Sequence, residues 1–293
     1  MGSRPVAVAV DSRTGHAFVA GDTRVSVLDG AGEVALRSIR AGVGAPDNIA
    51  GPAAVAVDSR TNRAFVARFD DNSVSVLDVT TGAVVRSVRV GRGPDAIAID
   101  TRTQRVFVTN LTTDDVSVLD ARSGAVLRTV RVGHVPVAVA VDERTGRVFV
   151  VTFTDHSVSV LDAGSGRLLR TVVVGAGASD VAVDERNGRA LVVSWDAATV
   201  SVLDAGSGRL LRSSGVGLGP VAVAVDERTG AVFVANAGSR SVSVLKDGAG
   251  AVRRTIEVGA APVAVAVEAG SGRVFVANQG DNSVSILATE AGR

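Results

Sequence analysis

A phrase of 42 residues recurs along nearly the whole chain, and it limits the folds that the chain can adopt. Each copy begins with an apolar run that ends in an acidic residue, and from the second copy onward these acids stand 42 residues apart. The acids are Asp11, Asp58, Asp100, Asp142, Asp184, Asp226 and Glu268. Self-similarity at a fixed period of this size is the signature of a repeat architecture. We therefore expect one repeat domain over residues 1–293 rather than two unrelated domains.

Each copy contains four short runs with the composition of β-strands. In the copy that begins at Pro136, such runs occupy residues 137–141, 148–151, 157–161 and 168–174, and turn signals separate them. No window combines helical periodicity with helix caps. Four strands in a copy of this length is the period of a propeller blade. The alternation of Val with Ala suits strands that are covered on both faces and crowded near an axis.

Seven copies predict an all-β fold, a seven-bladed β-propeller of four-stranded blades. The first, second and third runs occur seven times, but the fourth occurs only six times, because only residues 288–293 follow the last third run. The seventh blade is therefore expected to lack its outer strand. Its third strand would then present a free edge, through which a second copy of the chain could pair.

The motif VFVANQGDNSVSIL, from Val274 to Leu287, follows the run PVAVAV and resembles the YVTN-type repeat of seven-bladed propellers. YncE-like propellers and surface-layer-protein repeats belong to this group, and the resemblance extends over about the whole chain. It implies the propeller fold but no shared active site, since such families are united by structural repeats. It is also compatible with an extracytoplasmic location, although no signal peptide is recognisable in the chain.

Composition and charge argue against several classes of function. The formal net charge is +1, so no bulk field attracts nucleic acid or a membrane surface. The chain has no Cys and only 3% aromatic residues, which excludes thiolate chemistry and a base-stacking platform. No apolar stretch reaches the length of a transmembrane helix. We recognise no cofactor motif and no metal-ligand spacing, so we expect neither a cofactor nor a metal site.

Because the copies are nearly alike, the positions at which they differ are the best guide to function. One position, just after the Asn of the family motif and in the loop between the second and third strands, varies more than most. It holds Phe69, Leu111, Phe153, Trp195, Ala237 and Gln279. The four large apolar side chains could pack between neighbouring loops. Alternatively, they could form an arc around the mouth of the central depression, where a small apolar or aromatic molecule would bind.

Polar departures from the repeat fall in loops that the strand order assigns to the same face, the top. Asp95 and Asp180 replace apolar residues where a blade begins, and His134 and His156 enter the top loops of the fourth blade. A His beside a carboxylate is a usual acid–base element, so we expect any catalytic group among these four residues. The expected ligand contacts are Arg68, Phe69, Asn110, Leu111, Phe153, Asp155, Trp195 and Asp196.

Three hypotheses about function remain open at this point. The first is a binding propeller with an apolar, aromatic-rimmed top pocket. The second is an enzyme, a lyase, cyclase or hydrolase, that uses His134 or His156 with a carboxylate in the same pocket. The third is a protein-interaction or surface-layer scaffold. An insertion in the connection at residues 41–53 could form a rim or lid of a site, or could be neutral drift on the surface.

Arginines recur once per blade on the outer strands. They are Arg86, Arg128, Arg170, Arg212 and Arg254. Charged side chains on exposed edge strands discourage edge-to-edge aggregation. We therefore expect these arginines to serve solubility.

Overall fold

The computed structural model describes residues 5–11, 14, 16–21, 24–28, 35–40, 52–246, 251–268 and 271–288. Within these ranges the chain forms 27 β-strands and no α-helix. Residues 41–51 of the connection at 41–53, the candidate rim or lid, lie outside the described part of the chain.

The strands follow one another at the spacing that the repeat predicts. Those of the first three sheets are β1 (Pro5–Val10), β2 (Ala17–Gly21), β3 (Arg24–Leu28), β4 (Ala35–Arg40), β5 (Pro52–Asp58), β6 (Arg63–Arg68), β7 (Ser73–Asp78), β8 (Val84–Arg89), β9 (Pro94–Asp100), β10 (Arg105–Asn110), β11 (Asp115–Asp120) and β12 (Val126–Arg131).

The remaining fifteen strands continue the same pattern to the last described range. They are β13 (Pro136–Asp142), β14 (Arg147–Thr152), β15 (Ser157–Asp162), β16 (Leu168–Val173), β17 (Ala178–Asp184), β18 (Arg189–Ser194), β19 (Thr199–Asp204), β20 (Leu210–Gly215), β21 (Pro220–Asp226), β22 (Ala231–Asn236), β23 (Ser241–Leu245), β24 (Val252–Glu257), β25 (Pro262–Val267), β26 (Val274–Asn278) and β27 (Ser283–Leu287).

Consecutive strands form seven sheets, each in simple up-and-down order, and we number these sheets as blades one to seven. Six sheets have four strands, for example β17-β18-β19-β20 in blade five and β21-β22-β23-β24 in blade six. The seventh sheet has three strands within the described residues, β25-β26-β27. The predicted count of seven blades is therefore confirmed, as is the short last blade.

The chain divides into two compact units, and the boundary passes through the fourth sheet. The first unit is Met1–Val139 with Ala163–Leu168, and the second is Ala140–Asp162 with Leu169–Arg293. The single domain over residues 1–293 stays a prediction.

Blade two is covered on both faces, by blade one and by blade three, and blades five and six cover each other in the same way. Within the first unit, Phe65 and Val74 of blade two belong to one cluster with Val108 and Leu119 of blade three. Within the second, Leu191 of blade five packs with Val234 and other residues of blade six. Burial on both faces explains why the second and third strands carry long apolar runs rather than an alternation with polar residues.

The turns after the first strands follow the predicted chemistry. Asp184 accepts a hydrogen bond from the backbone N–H of Asn187 through Oδ1 at 2.9 Å, and Gly188 then adopts a φ of 63°. Asp and Asn side chains stabilise such turns by bonding to the backbone two or three residues on, and Gly takes the left-handed conformation without steric cost. The same arrangement recurs in blade six around Asp226 and Gly230.

The outer-strand arginines do more than keep the edge strands soluble. Arg86 of blade two donates from Nη1 to the carbonyl oxygen of Ser123 in blade three, at 3.1 Å. A Cβ at Gly208 would lie 3.4 Å from Cδ of Arg170, so the stem of that arginine covers the glycine of the next blade's turn. The expectation of a purely solubilising role was therefore incomplete, because the guanidinium and its stem also connect neighbouring blades.

Candidate functional site

Each blade has a well-defined upper end. The upper loop joins the second and third strands, and the leading segment comes just before the first strand. The two are joined by a backbone hydrogen bond of 2.8 Å, from Leu111 N to Gly93 O in blade three and from Trp195 N to Gly177 O in blade five. The residue at the variable apolar position is therefore held at the same place in each of these blades.

The family Asn supports the upper loop from inside the blade. Asn110 is fully buried, and its Nδ2 donates to Asp115 Oδ1 at 2.6 Å and to Ser117 Oγ at 2.9 Å. A Cβ at Gly91 would lie 2.6 Å from the amide of Asn110, so only glycine fits beneath it. Asn110 was expected to contact a ligand; the role that the structure shows is support of the upper loop, with its amide enclosed in the blade, and ligand contact stays a prediction.

Arg68 occupies the same position in blade two. It is only 5% exposed and forms an ion pair with Asp71 of its own upper loop. Its guanidinium is therefore already neutralised within the blade, and the expected role of Arg68 in ligand binding finds no support in its surroundings.

The large apolar side chains are partly packed and partly exposed. Phe69, Phe153 and Trp195 keep 37%, 39% and 42% of their surface exposed. A Cβ at Gly93 would lie 3.1 Å from Cε2 of Phe69, and one at Gly219 would lie 3.3 Å from Cζ2 and Cη2 of Trp195. One part of each of these two rings therefore covers the leading glycine of the next blade, and the rest of the ring faces solvent.

Side-chain size at this position matches the leading segment of the following blade. Where the upper loop carries Phe69 or Trp195, the following leading segment has a glycine. Where it carries the smaller Leu111 or Ala237, the corresponding residues are Val135 and Ala261. Packing between neighbouring blades, the first of the two alternatives, thus explains part of the pattern. It does not explain why so much ring surface remains exposed.

His156 has a structural partner on each side. Its backbone is left-handed with a φ of 51°, and its Nδ1 lies 3.1 Å from the N–H of Gly177 and 2.9 Å from the carbonyl oxygen of Phe153. Asn72 at the equivalent position of blade two accepts the N–H of Gly93 at 2.9 Å. His156 therefore serves as a side-chain acceptor between blades four and five, a role that the Asn and Asp at equivalent positions could have indicated.

His134 lies in the first unit, in an exposed leading segment. Its Nε2 is 4.0 Å from Asp114 Oδ2, while Asp114 Oδ1 accepts the N–H of Val135 at 3.0 Å. Val135 has a φ of 55°, where the leading segments of blades three, five and six have glycine. A β-branched residue in this conformation is strained, and strained residues cluster at functional sites.

Blade five departs from the repeat at Ser179 and Asp180 on its first strand and at Trp195 in its upper loop. On its first strand, Ser179 Oγ lies 3.2 Å from the carbonyl oxygen of Pro220, and Asp180 Oδ2 accepts the N–H of Val223 at 2.9 Å. Trp195 covers Gly219, which directly precedes Pro220. Three side chains of blade five thus contact one short run of blade six, residues 219–223. We call Ser179, Asp180, Trp195 and this run the junction site.

Asp180 is the electrostatic centre of the junction site. Burial raises its pKa to about 6, against the opposing effect of hydrogen bonds from the N–H groups of Val223 and Val181. No described Arg or Lys forms an ion pair with it, whereas carboxylates at the other end of the blades have such partners, for example Asp204 with Arg189 at 3.3 Å. The same position in the other blades holds Ala7, Ala54, Ala96, Ala138, Ala222 and Ala264.

Asp95 shares one property with Asp180. It is half-buried on the first strand of blade three, and burial raises its pKa as well. Asp95 belongs to the first compact unit and Asp180 to the second, and the same division separates His134 from His156. The structure therefore assigns the predicted catalytic residues to two units. The predicted set in the second unit is Phe153, Asp155, His156, Asp180, Trp195 and Asp196.

Two buried hydroxyl groups next to Trp195 were not predicted from the sequence, and we call the space around them the polar gap. Ser194 stands where blade six has Asn236, and both its Oγ and Oγ1 of Thr199 are buried without a hydrogen-bond partner among the described residues. Both oxygens lie within 2.8 Å of the place that a Cβ of Gly175 would take. In blade six the amide of Asn236 fills the equivalent space over Gly217. The change from Asn to Ser was the signal in the sequence.

Asp155 and Asp196 are exposed in the upper loops of blades four and five. Oδ2 of Asp196 would be 2.6 Å from a Cβ at Gly177, so its carboxylate lies against the leading segment of its own blade. Among the residues that the structure describes, no group of three or more His, Cys, Asp or Glu could hold a metal ion. The same part of the chain contains no helix long and apolar enough to span a membrane.

Comparison with known proteins supports the fold and leaves the function open. No protein-family model matches the chain, and no curated protein sequence matches it either. Among solved structures it is similar to hydrazine synthase from Kuenenia stuttgartiensis, with a TM-score of 0.80 and 16% identity over 98% of this chain and 96% of that one. At this identity the likeness concerns the fold alone, and the YVTN-type resemblance stays a prediction. The chain therefore has the fold of a seven-bladed β-propeller.

Proposed function

We propose that this propeller binds a small molecule with an apolar or aromatic part, and that the junction site of blades five and six is where it binds. The observation that carries the proposal is the exposed ring of Trp195, the only Trp in the chain, above a run of backbone that Ser179 and Asp180 also contact. Leu218, which is 65% exposed, stands directly before Gly219 and extends the apolar surface. Apolar walls with a few placed polar groups are the usual composition of ligand sites.

The adjoining upper loops could enlarge this surface within the second unit. Gly177 contacts His156 of blade four and Asp196 of blade five, so the loop that carries Phe153 and Asp155 continues into the loop that carries Trp195. We include Phe153, Asp155 and Asp196 as contacts at the edge of the site. Phe69 and Leu111 belong to the first unit, and their role as ligand contacts stays a prediction.

The test uses Trp195 as an intrinsic probe. A panel of aromatic metabolites is titrated into the protein while the Trp fluorescence is recorded, and we expect at least one compound to change it in a saturable way. Trp195→Ala should then weaken binding of that compound at least about tenfold by calorimetry, as for the loss of a buried aromatic contact. Gln279→Ala, at the same loop position of blade seven, is the matched control and should bind as the parent does.

Two results would overturn the proposal. One is the absence of any compound that changes the fluorescence or the thermal midpoint of the protein. The other is unchanged affinity in Trp195→Ala while the variant remains folded by circular dichroism.

An enzymatic function is the second candidate, as a lyase, cyclase or hydrolase. The observation that favours it is the pairing of His134 with Asp114 beside the strained Val135. His156 is less suited to proton transfer, because its Nδ1 is already engaged between the N–H of Gly177 and the carbonyl oxygen of Phe153. Once a substrate is known, His134→Ala should lose turnover while the variant stays folded if this hypothesis is right, and should retain turnover if it is wrong.

A scaffold is the third candidate, supported by the third strand of blade seven. Val284 and Ile286 of β27 are 61% and 59% exposed, and the structure describes no strand beyond β27 in that sheet. An uncovered edge of this kind pairs readily with another strand. Light scattering should then show self-association that Ile286→Lys abolishes, and a parent chain that is monomeric at all concentrations would contradict it.

A further inference from the structure

We propose that the ligand of the junction site is an organic cation, with its ammonium group held at Asp180 and Ser179 and its apolar part on Trp195. This inference rests on the proposed function and adds the chemical class of the ligand. Three features of the site support a cation: a carboxylate without a counter-charge, free hydrogen-bonding capacity beside it, and the distance between the carboxylate and the ring.

The carboxylate of Asp180 lacks a compensating cation in the described protein. It is half-buried on a first strand where each of the other six blades has alanine, so the fold itself does not require an acid there. A carboxylate withdrawn from water is costly unless it is paired or hydrogen-bonded. Two backbone N–H groups satisfy part of its capacity, but they bring no full positive charge. A bound cation would supply the missing charge.

The remaining hydrogen-bonding capacity suits an ammonium group. Each carboxylate oxygen can accept more than one hydrogen bond, and each oxygen of Asp180 uses one, for the N–H of Val181 or Val223. The hydroxyl of Ser179 lies on the adjacent residue of the same strand, against Pro220 O. An ammonium group has three donors and no acceptor, so it matches a cluster of oxygens better than a neutral hydroxyl does.

The spacing between the two ends of the site indicates the shape of the ligand. Trp195 lies over Gly219 and Asp180 bonds to Val223, and an extended strand between these residues spans on the order of 13 Å at its usual rise. The side chains of Asp180 and Trp195 both extend into the space between these two residues, so the carboxylate and the ring are closer together than this. A flexible chain of several atoms between the cation and the aromatic group would therefore fit better than a compact ion.

The experiment compares a cation with a neutral molecule of nearly the same shape. 4-Phenylbutylamine and 4-phenyl-1-butanol are titrated separately by calorimetry and by Trp fluorescence. In the parent protein we expect the amine to bind at least about tenfold more tightly than the alcohol. In Asp180→Asn and Asp180→Ala this ratio should fall to near one, while the affinity for the alcohol stays within about twofold of the parent.

Controls keep the assignment to Asp180 separate from general effects. Glu257→Gln removes one negative charge from an exposed position on the outer strand β24, and the ratio should remain that of the parent. Asp180→Ala is the more secure variant for folding, since alanine is the residue of the other blades. Circular dichroism and the thermal midpoint confirm that each variant is folded.

The outcomes distinguish this inference from the function on which it rests. Equal binding of amine and alcohol, both lost in Trp195→Ala, would overturn the cation and leave the binding function standing. Failure of both compounds, together with the rest of the aromatic panel, would overturn both. A preference for the amine that persists in Asp180→Ala would show that the charge is recognised elsewhere, which contradicts the assignment.

Discussion

Blade five and blade six have the same strand order, lie in the same compact unit and follow each other in the chain, yet they use equivalent positions differently. In blade six these positions hold packed apolar side chains, and Asn236 donates its amide to Ser241 and Ser243 while its Oδ1 has no partner among the described residues. In blade five they leave a ring exposed, hydroxyls unpaired and a carboxylate uncompensated. The pairs are Asp180 and Ala222, Leu191 and Phe233, Ser194 and Asn236, and Trp195 and Ala237.

Blade five therefore contains positions at which the side chain lowers the stability of the fold. Residues that agree with the repeat support the fold at every level, and those that break it without a structural gain are the expected sites of function. Substitutions at these positions and at the residues they contact test the difference, here in order of decreasing expected effect on the free energy of unfolding measured by urea denaturation.

The largest effect is expected in the core of blade six. Phe233 is 3% exposed and packs against Val242, Val274 and Val276. Phe233→Ala should lower the free energy of unfolding by roughly 3–5 kcal/mol, because it removes a buried ring and leaves a cavity. Phe233→Leu, which copies blade five, should cost clearly less. An unchanged urea midpoint in Phe233→Ala would show that the two blades do not differ through their cores.

The second effect depends on pH. The pKa of Asp180 in the folded protein is about 6, above the ordinary 3.8, so ionisation disfavours the folded state as pH rises through this interval. Asp180→Ala should therefore gain about 2–3 kcal/mol relative to the parent between about pH 4 and pH 7.5. The reverse change in blade six, Ala222→Asp, should become more destabilising over the same interval. A difference between Asp180→Ala and the parent that does not vary with pH would contradict this reading.

The third exchange concerns the polar gap. Ser194→Asn should restore an amide that bonds to Thr199 and Ser201, as Asn236 does to Ser241 and Ser243 in blade six, and should raise the free energy of unfolding by about 1 kcal/mol. Asn236→Ser should lower it by about 1–2 kcal/mol. If both substitutions destabilise the protein, the gap in blade five is not equivalent to the filled space in blade six.

The smallest effect tests the contact between the two blades. Gly219 has a φ of 60°, and a Cβ there would meet the ring of Trp195 at 3.3 Å. Gly219→Ala should therefore be destabilising, and part of the loss, about 0.5–1 kcal/mol, should disappear in a Trp195→Ala background. The double-mutant cycle gives this coupling directly. Additive effects would mean that the ring does not press on the glycine.

Much of the fold could be predicted from the repeat in the sequence. The runs at 148–151 and 157–161 correspond to β14 (Arg147–Thr152) and β15 (Ser157–Asp162), and the acid and glycine of the turns after the first strands of blades four to six have the predicted roles. Such features depend on contacts between residues close in the chain, and the repeat shows each of them several times. Departures from the repeat were also visible in the sequence, at Trp195 in an upper loop and at Asp180 on a first strand.

The contacts that these departures make could not be predicted from the sequence and are seen only in the folded protein. The tertiary structure enclosed Asn110 in its blade, paired Arg68 with Asp71, and made His156 an acceptor for the N–H of Gly177. It also directed Asp180 and Trp195 towards the same run of blade six. The contacts of Asn110 and Arg68 depend on how the upper loop folds back over its own blade. Those of His156 and Asp180 depend on which backbone group of the next blade faces the side chain, at Gly177 and Val223. That geometry is set by the packing of one sheet on the next, and residue type alone does not reveal it.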